Sequence, residues 1–199
     1  MKQIFLLGLV FLGLVFFAPT NKAWASPVQD QLKLSIDQII EVLKDPSLKG
    51  EENTVRRREA LRSIIDERFS FIAMSQRSLA KHWKKISEKE KAQFVQLFGK
   101  LLENTYVSKI ESYTNEKVEY VKELMDETKG TIYTKVVTES IEIPIDYRMY
   151  KTDDGKWMVY DLVIEGVSLV ANYRSQFDQI LQKGSYEKLV EDLKKKIEK

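Results

Sequence analysis

The spacing of apolar residues changes near the middle of this chain, from the period of helices to the period of strands. From Val118 onward the alternation is typical of β-strands, and it predicts four of them, at residues 118–124, 131–137, 141–150 and 156–165. The connections are short, and Asp153-Asp154-Gly155 is typical of a hairpin turn. Since a parallel crossover needs a dozen or more residues, the strands are predicted to form an antiparallel sheet.

Helical patterns flank the predicted strands on both sides. The first helix carries an apolar stripe from Leu32 to Leu43 and ends near Asp45-Pro46, and the second turns Leu61, Ile64 and Ile65 inward, with Arg56 to Arg58 expected on a solvated face. Further helices are predicted at residues 69–79, 87–112, 168–183 and 185–197. Helices before and after an antiparallel sheet indicate an α+β fold, with a twisted sheet covered by helices.

One segment, Trp157 to Phe177, is a strand that turns directly into an amphipathic helix. Its first eight residues are almost all aliphatic or aromatic, which favours a strand covered on both faces. Gly166 breaks the strand, and Ser168 is placed to cap the following helix. The long central helix likewise begins at a predicted capping box, Ser87 to Glu90.

The first 25 residues have the pattern of a cleavable secretory signal peptide. Lys2 precedes an apolar run from Ile4 to Ala18, and Ala23-Trp24-Ala25 forms an A-x-A cleavage site. The run ends at Pro19, short of the roughly 20 apolar residues that span a membrane. We therefore expect residues 1–25 to be removed and residues 26–199 to form one domain in the periplasm.

Composition restricts the chemistry that the chain can perform. Without residues 1–25, Lys plus Arg falls from 32 to 30, which equals the 30 Asp plus Glu, so no basic footprint for nucleic acid is predicted. The chain has no cysteine and one histidine, so neither a disulfide nor a metal or cofactor site is expected. His82 is interpreted as a surface residue at a helix end.

Two residues could suggest catalysis. Gly166-Val-Ser168 resembles part of a nucleophile elbow, but Val170 stands where the motif needs its second glycine. Asp161 lies within an apolar strand, where a charge is costly unless it is paired. It is either a pocket acid of a cone-shaped, curved-sheet enzyme or a structural residue held by an ion pair or by hydrogen bonds to a nearby turn, with Arg174 as a possible counterion. We favour the structural interpretation and expect no enzymatic activity.

Four blocks resemble the MlaC, or toluene-tolerance, family of periplasmic phospholipid-binding proteins. They are residues 68–74, 79–83, 94–106 and 157–177, the last including Asn172-Tyr173-Arg174. The resemblance implies that the helices and the four-stranded sheet surround a deep hydrophobic pocket for the acyl chains, with the head group left in solvent. It implies a monomeric shuttle that maintains outer-membrane lipid asymmetry, with an inner-membrane MCE-domain ABC transporter and an outer-membrane lipoprotein complex as partners.

Given such a pocket, the apolar residues of the long helix, the third strand and the strand-to-helix junction become candidates for its lining. The candidates are Phe94, Leu97, Phe98, Leu101, Tyr106, Ile110, Ile143, Ile145, Tyr147, Val163, Val167 and Val170. For any single one of them a packed core is the favoured interpretation, because spacing alone does not reveal a cavity. The alternatives left open are a carrier of another apolar lipid, such as a hopanoid, the Asp161 enzyme, and a solid-cored adaptor between membrane complexes.

Overall fold

The structure is a computed structural model that describes residues 26–112, 116–138 and 140–198. The predicted signal peptide, residues 1–25, lies outside these described residues. Within them, no helix has both the length and the apolar content needed to cross a membrane. The described helices are α1 (Pro27–Lys44), α2 (Thr54–Arg68), α3 (Phe71–Leu79), α4 (Glu88–Glu111), α5 (Leu169–Lys183) and α6 (Tyr186–Ile197). The described strands are β1 (Lys117–Met125), β2 (Lys129–Val137), β3 (Glu142–Lys151), β4 (Trp157–Ile164) and β5 (Val167–Ser168).

The strands form one antiparallel sheet in the order β1-β2-β3-β4-β5. The α+β class is confirmed, but the prediction of four strands was one too few. The fifth strand forms because Glu165 and Gly166 both have positive φ, 50° and 79°, and fold the chain back so that Val167 pairs with Ile164. A two-residue strand is too short to produce a hydrophobic period, so the sequence pattern did not reveal it.

A β-bulge in β4 changes which of its side chains share a face. Val159 lies opposite Met149 and Leu162 lies opposite Tyr147, so three residues of β3 are matched by four of β4. Leu162 therefore turns to the same face as Val159, while Asp161 points to the other face. Strict alternation along the strand would have placed Leu162 and Val159 on opposite faces.

The larger core lies among the helices. Four aromatic rings at its centre, from Phe94 and Phe98 of α4 and Tyr173 and Phe177 of α5, have centroids 5.1 to 5.7 Å apart. Most of these contacts are edge-to-face, the arrangement that aromatic quadrupoles favour. Leu189 of α6 closes the cluster from the other side and is fully buried. This core fixes the position of α4 relative to α5 and α6.

The smaller core joins α1 to the sheet. Leu32 on α1 packs with Ile132, Met149 and Val159, each of which is at most 1% exposed. Arg68, at the end of α2, ties the same region together by donating to Trp157 O at 2.6 Å. The sheet is thus covered by α1 at one end of its inner face, and the rest of that face extends toward α2 and α4.

Both predicted helix caps are present. Ser87 Oγ accepts a hydrogen bond from Glu90 N, and Glu90 Oε2 accepts one from Ser87 N at 2.7 Å, which completes the capping box of α4. Ser168 Oγ accepts from Ala171 N at 3.0 Å. The second cap begins α5 immediately after β5.

Candidate functional site

A cavity of about 270 Å³ lies between α2, α3 and α4, with β4 and the start of α5 at its base. Its wall is formed mainly by aliphatic and aromatic side chains, and its charged members are grouped on α2 and α4. The residues that line it are Arg58, Leu61, Arg62, Ile65, Asp66, Phe69, Phe71, Met74, Val95, Gln96, Gly99, Leu102, Glu103, Tyr106, Val107, Ile110, Leu162 and Leu169.

The wall on α4 is a stripe that lies beside the one bearing the aromatic core residues. Val95, Gly99, Leu102, Tyr106 and Ile110 recur every three or four residues and all face the cavity. Phe94 and Phe98, on the core stripe, precede Val95 and Gly99 by one position in the sequence and therefore lie on a neighbouring part of the helix surface. The predicted lining residues on α4 came mainly from the bulkier aromatic stripe. They included Tyr106 and Ile110 of the cavity stripe but not Val95, Gly99 and Leu102.

Gly99 contributes to the size of the cavity. A glycine inside a helix costs about 1 kcal/mol relative to alanine, so a buried one at mid-helix is informative. A Cβ built on Gly99 would have the side chain of Phe71 as its nearest neighbour, at 3.6 Å, which is ordinary van der Waals contact. A methyl group therefore fits at this position, and a larger side chain would extend into the cavity.

The opening of the cavity is charged. Three of its lining residues, Arg58, Arg62 and Asp66, have side chains 41%, 50% and 52% exposed. Ion pairs connect α2 to α4 here: Arg62 Nη1 lies 2.9 Å from Glu103 Oε2, and Arg58 Nη2 lies 2.9 Å from Glu111 Oε2. An apolar interior with a charged rim suits an amphipathic ligand that enters apolar end first.

Glu111 is the carboxylate that pairs with Arg58 at one end of this rim. Hydrogen bonds from Arg58, with a further one from Arg57, hold the pKa of Glu111 below its ordinary value, and the contact with Glu111 raises the pKa of Arg58. The expectation that Arg56 to Arg58 form a solvated face was therefore wrong for Arg57, whose side chain is 16% exposed, whereas Arg58 is 41% exposed and shares the same carboxylate. Their partner lies more than 50 residues away in sequence, so no local pattern indicated it.

Two of the twelve predicted lining residues, Tyr106 and Ile110, lie in the cavity wall. Four others are buried in the helical core, and Leu97 packs against that core while partly exposed. The four core residues are Phe94, Phe98, Leu101 and Val170.

The remaining predicted lining residues belong to the sheet and to the turn after it. Ile143, Ile145 and Tyr147 are half-buried and share the inner face of β3, where Tyr147 lies opposite the cavity residue Leu162. Burial raises the pKa of Tyr147 to about 12. Val163 is 7% exposed and faces away from Leu162, and Val167 is 59% exposed. Whether any of these residues contacts a ligand stays a prediction.

Asp161 is not part of the cavity. Its side chain is 4% exposed, and Oδ2 accepts hydrogen bonds from Arg148 Nη1 at 3.0 Å and Ser168 Oγ at 2.6 Å, while Oδ1 accepts from Val170 N at 3.0 Å. The prediction of Arg174 as the counterion was wrong, because Arg174 Nε donates to a backbone carbonyl of α3. Asp161 thus joins β3 to the β5–α5 corner, and both of its carboxylate oxygens accept from structural partners.

Other groups that could support chemistry are also accounted for. His82 Nε2 lies 2.7 Å from Asp178 Oδ1, which links the segment after α3 to α5. Across the described residues, no group of acidic or histidine side chains is arranged to hold a metal ion. The cavity is therefore the feature of the described residues that best fits a ligand.

Comparison with known proteins identifies the family. The chain resembles the solved structure of a phospholipid-binding protein from Ralstonia solanacearum, determined in complex with a phospholipid, with a TM-score of 0.78, 26% identity, and coverage of 86% of this chain and 97% of that one. It is also 29% identical over 117 residues to the intermembrane phospholipid transport system binding protein MlaC of Haemophilus influenzae, an alignment that spans 56% of this chain and 55% of the relative. The profile of the MlaC protein family matches residues 33–195, and the chain belongs to the MlaC family.

Proposed function

We propose that this protein binds phospholipid and carries it, with an acyl chain in the cavity between α2 and α4. The observation that carries the proposal is the cavity itself, a space of about 270 Å³ with an apolar wall and a charged opening. An acyl chain matches the wall, and a polar head matches the rim. The solved relative from Ralstonia solanacearum, which shares the fold, was determined with a phospholipid bound.

The inner face of the sheet provides room for more apolar chain. Leu162 lines the cavity, and along the same face Ile145 pairs with Ile164, both half-buried. An apolar strip therefore runs from the base of the cavity along β3 and β4. A second acyl chain, or the end of the first, would lie on this strip and cover Ile143, Ile145 and Tyr147.

The energy of lipid transfer explains why a carrier needs no catalytic chemistry. A phospholipid with two chains of about 16 carbons has roughly 30 methylenes, and at about 0.8 kcal/mol each its exposure to water costs more than 20 kcal/mol. Unaided diffusion through water is therefore negligible. A protein wall as apolar as the membrane interior makes the free energy of moving a lipid between membrane and protein close to zero. The lipid can therefore be taken up from a membrane or released to one.

The proposed setting is the periplasm, with lipid passing between an inner-membrane MCE-domain ABC transporter and an outer-membrane lipoprotein complex. The predicted signal peptide supports this location, and the Haemophilus influenzae relative is named for intermembrane phospholipid transport. The enzyme alternative has lost its support, because Asp161 is buried away from the cavity and accepts structural hydrogen bonds at both carboxylate oxygens.

Native mass spectrometry of protein purified from bacterial cells tests the proposal. We expect an added mass that matches intact two-chain phospholipids, and lipid extraction should recover several head groups. A second sample, delipidated in detergent and then mixed with phospholipid vesicles, should regain the same masses. Protein that is folded but carries no lipid in either sample would contradict the carrier function and would favour a solid-cored adaptor.

A further inference from the structure

The charges at the cavity opening are unevenly shared between the two ends of the rim. Arg62 has two carboxylates near it, Glu103 at 2.9 Å and Asp66 at 3.7 Å. At the other end, two guanidinium groups, Arg57 and Arg58, share the single carboxylate of Glu111. The end of the rim at Arg58 therefore has one more positive than negative group, and the end at Arg62 has one more negative than positive group.

Arg57 is held in place by several partners. Its Nε donates to Glu111 at 2.9 Å and its Nη1 donates to Leu48 O at 2.7 Å, and its side chain is 16% exposed. Arg57 alone can therefore neutralise Glu111 and keep it in position. Arg58 is the cation that can take a different anion without leaving a carboxylate unpaired.

Arg58 is also the one of the two that reaches the cavity. It lines the opening, its side chain is 41% exposed, and its hydrogen bonds to Glu111 use only Nε and Nη2. Among the hydrogen bonds of the described residues, none uses Nη1 of Arg58. A guanidinium presents donors in a planar fork, the geometry that binds two oxygens of a phosphate group.

We infer that Arg58 is a phosphate-binding residue at the cavity opening and selects lipids that carry a phosphodiester over neutral lipids with the same acyl chains. This inference rests on the proposed lipid-carrying function and adds a specificity to it. The contact is with the phosphate that all phospholipids share, so the alcohol attached to it is not distinguished. Neutral apolar cargo, such as a diacylglycerol, fills the cavity without this contact.

The test is a competition between two lipids for the delipidated full-length protein. Vesicles containing phosphatidylglycerol and diacylglycerol with identical acyl chains are offered in equal amounts, and the bound lipids are extracted and counted by mass spectrometry. We expect the wild-type protein to prefer phosphatidylglycerol by about tenfold, which corresponds to about 1.4 kcal/mol. Arg58→Gln should bring the ratio to within about twofold of one.

Two further variants serve as controls. Arg56→Gln removes an exposed arginine two residues away that does not line the cavity, and it should keep the wild-type ratio. Arg58→Lys keeps the charge without the fork and should give an intermediate ratio. Thermal melting should confirm that all three variants are folded.

The outcomes separate this inference from the function on which it rests. A wild-type protein that loads both lipids equally, or an Arg58→Gln variant that keeps the wild-type ratio, overturns the phosphate site while leaving the carrier intact. A wild-type protein that takes up neither lipid overturns the carrier function itself. Tight binding of inorganic phosphate, offered alone in a separate titration, would assign Arg58 to free phosphate and would also overturn the inference.

Discussion

Replacing Gly99 by leucine should block the cavity without disturbing the core. Gly99 lies on the cavity stripe of α4, whereas the aromatic core packs on the neighbouring stripe. A leucine side chain adds four carbons to the space between α4 and Phe71, where a single Cβ already comes to 3.6 Å. The Gly99→Leu side chain would therefore occupy room that the acyl chain is proposed to use.

The size of the effect follows from the burial that the lipid loses. If the leucine displaces about four lipid carbons at about 0.8 kcal/mol each, binding weakens by about 3 kcal/mol, or roughly a hundredfold. Gly99→Ala is the matched control, because its single methyl group fits beside Phe71. In the delipidated protein, relief of the glycine cost in a helix, about 1 kcal/mol, should raise Tm by about 2–4 °C for the alanine variant.

The assay loads each delipidated variant from phospholipid vesicles and measures bound lipid per folded protein. We expect the alanine variant to load within about twofold of the wild-type level and the leucine variant to load about a hundredfold more weakly. Normal loading of a folded Gly99→Leu protein would refute the assignment of this cavity to acyl chains.

Three further variants test separate parts of the structure. Asp161→Asn should lower the free energy of unfolding by about 1–3 kcal/mol, because the side chain that contacts Arg148 loses its charge. Lipid loading of the folded variant should be unchanged. Normal stability with lost loading would return Asp161 to a functional role. Phe98→Ala should cost about 3–5 kcal/mol in urea unfolding, and a cost under 1 kcal/mol would contradict the packed core. Hydrogen bonds with His82, the larger cause, and with Lys81 lower the pKa of Asp178 from 3.8 to about 2. The ionised carboxylate therefore stabilises the fold above pH 3.8, and this contribution is lost as the pH falls toward 2. Asp178→Asn should therefore reduce the loss of Tm between pH 3.8 and 2, and identical acid profiles would count against the contact.

Features with a local cause could be predicted from the sequence. The capping box at Ser87 and the cap at Ser168 depend on residues within one helical turn, and both are present. The strands from Val118 onward followed from their period and short turns. The strand β5 escaped prediction because two residues cannot show a period, and the bulge in β4 escaped because it depends on the register with β3.

The candidate site was harder to predict, because both sides of α4 are apolar. Phe98 and Leu102 both pack in the helical core, and only the positions of α2 and α5 decide that Leu102 also borders a cavity. The rim depends on contacts that are distant in sequence, such as Arg58 with Glu111 across 53 residues. The partner of Asp161 was missed for the same reason, since Arg148 lies opposite it on β3.

Photocrosslinking tests the central claim, that the cavity holds acyl chains, most directly. The delipidated protein is loaded with a phospholipid that carries a diazirine near the end of an acyl chain, irradiated, digested and analysed by mass spectrometry. We predict adducts on cavity residues such as Leu61, Met74 and Leu102, and none on Leu189 or Leu193, which are buried against the opposite side of α4. Adducts confined to α6, with none on α2, α3 or α4, would contradict the account.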